Sequence, residues 1–111
     1  MVGRIYHLSM DFDAKKIRAI SKIKEALKNK SFEEFKIGKT DDVVRREKEY
    51  KQNGYFFFEK VISCETLNEV NRLEKALIDS FKSNEECNNK ISGGGGCTSD
   101  SKEYYIYVAL K

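Results

Sequence analysis

A strand pattern that passes directly into a helix pattern limits this chain to folds that mix the two elements. Residues 35–38 (Phe-Lys-Ile-Gly) are typical of a strand, and Gly38 allows either a turn or the close approach of another group. Thr40 and Asp41 can accept hydrogen bonds from the free N–H groups of the turn that follows. We therefore predict a helix over residues 41–51 directly after the strand.

This helix has two faces. At about 100° per residue, Arg46 shares one side with Val43, Glu47 and Tyr50, whereas Arg45 points to the other side. Arg46 is therefore the better candidate for a functional cation. The alternative is that its aliphatic stem packs on the core while the guanidinium reaches solvent.

Size and composition predict a single globular domain over residues 1–111. The chain has no proline and no tryptophan, 35% of its residues are charged and 40% are apolar. No apolar run is long enough to span a bilayer, and residues 1–5 lack the apolar core of a signal peptide. We expect a soluble intracellular protein of the cytoplasm or nucleus, without membrane contact.

Positive charge is concentrated in one segment. The net charge is +3, but residues 15–30 contain seven lysines and arginines against one carboxylate. This segment could face the phosphates of a nucleic acid, or it could be an ordinary solvated helix face. The odd number of cysteines, three, and the absence of a CxxC pair argue against a disulfide framework or a zinc site.

The other elements follow from alternation and helical spacing. We predict strands over residues 4–10, 55–64 and 104–110 and a polar, glycine-rich loop over residues 84–103. An amphipathic helix within residues 12–31 has an apolar stripe formed by Ile17, Ile20, Ile23 and Leu27.

A further helix over residues 67–81 contains an unusual carboxylate. It opens with a capping box in which Thr66 is the N-cap and Glu69 the acidic partner. Glu74 lies in the middle of its apolar stripe, which is formed by Leu67, Val70, Leu77, Ile78 and Phe81. A carboxylate there is costly unless a cation, a metal or a proton compensates it. Glu74 is thus a candidate metal ligand or catalytic group, with a buried Glu–Arg or Glu–Lys pair as the alternative.

The order of these features resembles the GIY-YIG nuclease domain family. The matching residues are Gly3-Arg4-Ile5-Tyr6, Lys36-Ile37-Gly38 with lysine as its first residue, Arg46, Glu74 and Asn89. The resemblance implies an α+β fold with a small central antiparallel sheet flanked by about three helices. The basic helix of residues 12–31 would be an insertion between the first two strands.

The resemblance also implies a metal-dependent endonuclease that hydrolyses DNA phosphodiester bonds. Glu74 would hold Mg²⁺ or Mn²⁺, Arg46 would stabilise the phosphoryl charge, and Tyr6 and Lys36 would activate or position water. Tyr50 stands where many members have histidine, and Asn89, or Asn88 by spacing, would fix the site. Contacts with duplex or branched DNA are expected from Lys16, Lys24, Lys39, Arg45 and Lys90.

Two alternatives remain. The first is a catalytically inactive nucleic-acid-binding module with the same fold. The second is a small protein-interaction domain in which Glu74 is merely salt-bridged. Cleavage that depends on a divalent metal would distinguish the nuclease from both, and salt-sensitive DNA binding would distinguish the first alternative from the second.

Overall fold

The computed structural model describes residues 11–84, 86–87 and 101–111, and these residues form a small α+β fold. The elements within these ranges are α1 (Phe12–Lys28), β1 (Phe35–Thr40), α2 (Val43–Gln52), β2 (Phe57–Cys64), α3 (Leu67–Phe81) and β3 (Tyr104–Leu110). The predicted α+β class is confirmed. The predicted strand over residues 4–10 lies outside the described residues, as does most of the predicted loop over residues 84–103. Whether α1 is an insertion between two strands is therefore still a prediction.

The three described strands form an antiparallel sheet in the order β1-β3-β2. The last strand in the chain is therefore the middle strand of this sheet, and nearly all of its residues are buried. Gly38 of β1 pairs with Tyr107 of β3, and Ile37 pairs with Val108. Because directly paired residues project to the same side, these two pairs define the two faces of the sheet.

One face, here called the core face, packs against α1 and α3. Ile37 and Val108 lie in one apolar cluster with Ile23 of α1 and with Leu73 and Leu77 of α3. All five are fully buried, and burial of each such side chain contributes about 1.5–3 kcal/mol. The other face, here called the aromatic face, carries Gly38 and Tyr107 and is covered by α2, as described below.

Helix α1 buries three of the four predicted positions of its apolar stripe, since Ile23 is fully buried and Ile20 and Leu27 are partly buried against the core. Its fully buried positions are Lys15, Ala19, Ile23 and Ala26, whereas Ile17 is 69% exposed. The predicted place of Ile17 in the apolar stripe is therefore wrong. The Lys15 ammonium lies 3.0 Å from the Glu69 carboxylate of α3. This ion pair compensates the buried position of Lys15.

Helix α3 begins as the sequence predicts. The Glu69 amide donates to the Thr66 hydroxyl at 3.0 Å, and the Glu69 carboxylate accepts from the amide of Glu65 at 3.1 Å. The predicted apolar stripe is buried apart from Leu67, which is partly buried, and the structure adds Leu73 to it. None of the helices in the described ranges is long and apolar enough to cross a membrane.

Candidate active site and nucleic-acid interface

Helix α2 is fixed at its start by capping. Asp42 is the N-cap, and its carboxylate accepts from the Arg45 amide at 3.1 Å. The Thr40 hydroxyl accepts from the Asp42 amide at 3.0 Å, so Thr40 supports the turn as predicted, but the helix begins at Val43 rather than at residue 41. No residue of α2 is fully buried. Its position on the sheet therefore depends on a few long side chains.

The two neighbouring arginines of α2 have different environments. The Arg45 side chain is 50% exposed and lies 3.6–3.9 Å from the carboxylates of Asp41, Asp42 and Glu49. The Arg46 side chain is 20% exposed and lies 3.5 Å from Glu49. The Arg46 Nε atom is buried, and it has no hydrogen-bond partner among the described residues. The predicted difference between the two arginines is confirmed, and in the described part of the chain only Arg46 has a buried donor atom without an acceptor.

Four aromatic rings hold α2 against the aromatic face. The Tyr50 ring lies 4.9 Å from Tyr55, 5.7 Å from Phe58 and 5.2 Å from Tyr107, measured between ring centroids. Phe58 and Tyr107 stack at 4.7 Å. The Tyr107 hydroxyl donates to the Tyr50 hydroxyl at 2.8 Å. Tyr50 is thus enclosed by this cluster and bonded to its most buried phenol.

The Tyr107 phenol stays protonated at ordinary pH. Burial raises its pKa well above the usual value for tyrosine, and the neighbouring Tyr50 raises it further. Arg46 lowers this pKa and Glu74 raises it. Tyr107 is therefore a hydrogen-bond donor rather than a base, and the charges of both Arg46 and Glu74 affect its pKa.

Gly38 allows the Tyr107 ring to lie directly against β1. A Cβ atom at Gly38 would stand 2.3 Å from the Tyr107 hydroxyl oxygen and 2.4 Å from Cζ. Of the two roles that the sequence allowed for Gly38, close approach is therefore the one observed. Gly38 does not end the strand, which continues to Thr40.

Beside this cluster is a cleft of about 280 Å³. The residues that line it come from β1, α2 and the segment that follows α2, and they are Lys36, Arg46, Glu49, Tyr50, Asn53 and Tyr55. The predicted site residues Lys36, Arg46 and Tyr50 are thus brought together. The cleft contains two cations, two phenols, an amide and one carboxylate, Glu49. Its cations and hydroxyl groups suit an oxyanion such as a phosphate group.

Glu74 is buried on the core face, where it forms an ion pair. The residue is 3% exposed, and its Oε1 atom accepts from the Lys39 ammonium at 3.1 Å. The predicted burial is confirmed, and the observed partner is the Glu–Lys pair that the sequence left as an alternative. Lys39 is only 6% exposed. This interior position does not agree with the predicted contact between Lys39 and DNA.

The two principal candidates thus approach from opposite sides of the sheet. Arg46 belongs to α2 on the aromatic face, and Glu74 belongs to α3 on the core face. Gly38 has no side chain between them, and the Tyr107 hydroxyl that lies against it is influenced by both charges. The centre of this arrangement is therefore the Gly38–Tyr107 contact.

The described residues offer few ligands for a divalent cation. No group of three or more histidine, cysteine, aspartate or glutamate side chains that could hold a metal exists among the described residues. Glu74 supplies one carboxylate, kept close to an ammonium. A Mg²⁺ or Mn²⁺ ion bound to Glu74 would therefore need most of its oxygen ligands from water or from other groups.

The predicted DNA-contacting cations divide between the two faces. Lys24 and Arg45 are exposed and Lys16 is partly exposed, as a phosphate contact requires. Lys16 and Lys24 belong to α1 on the core face, so they lie across the sheet from Arg46. Tyr6, Asn88, Asn89 and Lys90 lie outside the described residues, and their predicted roles are still predictions.

Sequence reasoning missed Tyr107 as a site residue. The alternating pattern of β3 predicts the side of that strand on which Tyr107 lies, and Gly38 indicates that some group approaches β1 closely. Nothing local pairs these two positions, because strand pairing and register depend on the whole sheet. Glu49, Asn53 and Tyr55 were missed for the same reason, since they meet in the cleft only after α2 docks.

A family model for the T5orf172 domain matches residues 19–110. This family consists of nuclease-like, DNA-binding domains. The resemblance to the GIY-YIG family was wrong: the matching model is that of the T5orf172 domain, and no GIY-YIG family model matches. No curated protein and no solved structure matches the chain.

Proposed function

The chain belongs to the T5orf172 domain family, and from that membership and the geometry of the cleft we propose that it is an endonuclease that hydrolyses DNA phosphodiester bonds. The observation that carries the proposal is the buried Arg46 Nε, which has no acceptor among the described residues and belongs to a side chain lining a cleft shared with Lys36. A buried donor left without a partner costs about 1–3 kcal/mol. A phosphate oxygen in the cleft would remove that cost.

Arg46 and Lys36 would bind the scissile phosphate. A guanidinium can donate two parallel hydrogen bonds to non-bridging oxygens, and an ammonium acts as a compact charge beside them. During in-line attack by water, negative charge grows on these oxygens, so fixed donors stabilise the transition state more than the bound substrate. Tyr50 lines the same cleft, where its hydroxyl can orient the phosphate or the attacking water. Tyr6 is proposed to position that water.

Glu74 would hold a Mg²⁺ or Mn²⁺ ion. Such an ion supplies charge stabilisation to the leaving oxygen. Lys39 is bound to the same carboxylate at 3.1 Å, so its ammonium competes with the cation for Glu74. We therefore expect weak metal binding by the free protein.

The test is a nicking assay on plasmid and branched DNA with Mg²⁺, Mn²⁺ or EDTA. Arg46→Gln should lower kcat about a hundred- to a thousandfold, the usual effect of removing one donor aimed at an oxyanion. Arg45→Gln is the matched control, because it removes the adjacent, half-exposed guanidinium. Loss of its predicted DNA contact would raise KM, but kcat should change by less than about threefold. Glu74→Gln should abolish metal-dependent cleavage while circular dichroism shows an intact fold.

Two results would overturn this proposal. One is the absence of cleavage by the wild-type protein on every DNA substrate and metal tested. The other is an equal loss of rate in Arg46→Gln and Arg45→Gln, which would show that Arg46 has no special role.

A second candidate is a DNA-binding module without catalysis. The observation in its favour is the Lys39–Glu74 pair, which satisfies the buried carboxylate without any metal. This module would bind DNA with an affinity that falls steeply as salt rises, and it would cleave nothing. Arg46→Gln would then weaken binding without any change in DNA integrity.

A further inference from the structure

We propose that Tyr107 is a positioning residue that orients the Tyr50 hydroxyl toward the phosphate cleft. This inference rests on the proposed nuclease function, because it assigns Tyr50 a contact with the substrate. Tyr107 itself lines no part of the cleft described above, and nothing in its local sequence separates it from an ordinary strand tyrosine.

The surroundings of Tyr107 leave its ring one position. It projects from the middle strand of the described sheet, is buried, and lies between Gly38 on one side and the stacked ring of Phe58 on the other. The space that a side chain would occupy at Gly38 is filled by the outer end of the phenol. The Tyr107 hydroxyl is thus held at a fixed point above β1, as a preorganised donor requires.

Tyr50 depends on this contact for its orientation. Helix α2 has no fully buried residue, so its side of the cleft is anchored mainly by the Tyr50 ring and its three aromatic neighbours. Ring packing fixes the plane of a phenol but not the direction of its O–H bond. The hydrogen bond from Tyr107 fixes that direction, because it occupies one side of the Tyr50 oxygen.

The direction of donation decides what Tyr50 can do. Tyr107 donates its proton to the Tyr50 oxygen, so the proton of Tyr50 is left to point elsewhere. The cleft with Lys36 and Arg46 is the side on which an acceptor would bind. Tyr50 would therefore donate to a non-bridging phosphate oxygen or to the attacking water, and it would do so only while Tyr107 is a donor.

The test compares Tyr107→Phe with Tyr105→Phe. Tyr107→Phe removes one oxygen and keeps the ring, so kcat should fall about ten- to a hundredfold with KM within about twofold. Tyr105→Phe is the control: the residue lies on the same strand and face, but its hydroxyl bonds to Glu103 at 2.6 Å. The double variant Tyr50→Phe/Tyr107→Phe should be no slower than Tyr50→Phe, because both changes remove one coupled donor.

A second measurement is independent of cleavage. In protein labelled with ¹³C at tyrosine, the Tyr50 ring signals should shift in Tyr107→Phe and stay unchanged in Tyr105→Phe. Wild-type rates in Tyr107→Phe, additive losses in the double variant, or unshifted Tyr50 signals would each overturn the inference. If the wild-type protein cleaves no DNA but the Tyr50 shift is still observed, the proposed nuclease function would be overturned. The finding that Tyr107 orients the Tyr50 hydroxyl would then still stand.

Discussion

The two faces of the sheet differ in whether their buried polar groups are paired. On the core face, the Glu74 carboxylate and the Lys39 ammonium are buried and bonded to each other. On the aromatic face, the Arg46 side chain is partly exposed, and its buried Nε has no hydrogen-bond partner among the described residues. The polar groups of the core face are therefore paired within the protein, whereas the aromatic face has a buried donor with no acceptor in the described part of the chain.

The largest effect should come from Lys39→Met, which removes the ammonium that pairs with the buried Glu74 carboxylate. We expect the free energy of unfolding to fall by about 3–5 kcal/mol. Lys36→Met is the matched control on the same strand but the aromatic face, and it should change stability by less than about 0.5 kcal/mol. Urea denaturation of both variants measures the difference, and equal losses would contradict the division between faces.

The double variant Lys39→Met/Glu74→Leu sharpens this result. Removing both charges leaves an apolar pair, so much of the lost stability should return. A double variant that is less stable than Lys39→Met alone would show that Glu74 is stabilised mainly by other groups.

Gly38→Ala should have the next largest effect. The new methyl group would overlap the Tyr107 ring end, so the ring must shift and the hydrogen bond to Tyr50 must lengthen or break. We expect a loss of about 1–3 kcal/mol by thermal or urea unfolding. The loss should be smaller in the background Tyr107→Leu, where the ring is absent, and equal losses in the two backgrounds would contradict the packing described.

Removal of a helix cap should have different consequences on the two faces. On the core face it should lower global stability, and on the aromatic face it should mainly increase local opening of the helix. Thr66→Ala weakens α3, which packs in the core, so global stability should fall by about 1 kcal/mol. Asp42→Ala weakens α2, which has no fully buried residue, so amide hydrogens of residues 45–48 should exchange faster with a smaller change in global stability. Native-state hydrogen exchange measures both, and identical global losses would refute the distinction.

At neutral pH, the smallest effect on stability concerns the thiol of Cys64, on the core face. The pKa of this thiol is raised from 9.0 to about 12. Burial is the largest cause, the neighbouring Glu69 carboxylate also raises the pKa, and the Lys15 ammonium lowers it. Because the folded-state pKa is higher, the stabilisation of the neutral thiol is complete below pH 9 and is lost as pH rises from 9 to about 12.

Alkylation measures this shift. At pH 8 the thiolate population of native Cys64 should be about a thousandfold lower than in the unfolded chain, because three pH units separate the two pKa values. Iodoacetamide labelling followed by peptide mass spectrometry should show slow modification in buffer and fast modification in urea. Equal rates in both solvents would show that Cys64 is not held in an apolar environment.

Much of the fold was open to prediction from local pattern. The helical phase of residues 43–50 placed Arg46 inward and Arg45 outward, and the structure confirms the difference. The capping residue Thr66 and the burial of Glu74 were also predicted correctly, because capping and helical periodicity act within a few turns. In α1 only the predicted place of Ile17 was wrong, and the burial of Lys15 was missed because its partner Glu69 is far away in sequence.

The candidate site was only half predictable. Lys36, Arg46 and Tyr50 were named from the sequence, and the cleft brings them together. The Lys39–Glu74 pair was present only as one of several possible partners for Glu74. The pairing of Gly38 with Tyr107 had no local signal, because the register between β1 and β3 joins residues 69 positions apart.

The amino-acid sequence by itself determined the types of the described helices and strands, the inward direction of Arg46 and the presence of a carboxylate among apolar side chains. These features depend on spacing and on hydrogen bonds between near neighbours. The tertiary structure alone decided which cation meets Glu74, which phenol fills the space at Gly38 and which face keeps an unpaired donor. Those choices depend on strand order and on the rotation of packed helices, and both are set by burial summed over the whole domain.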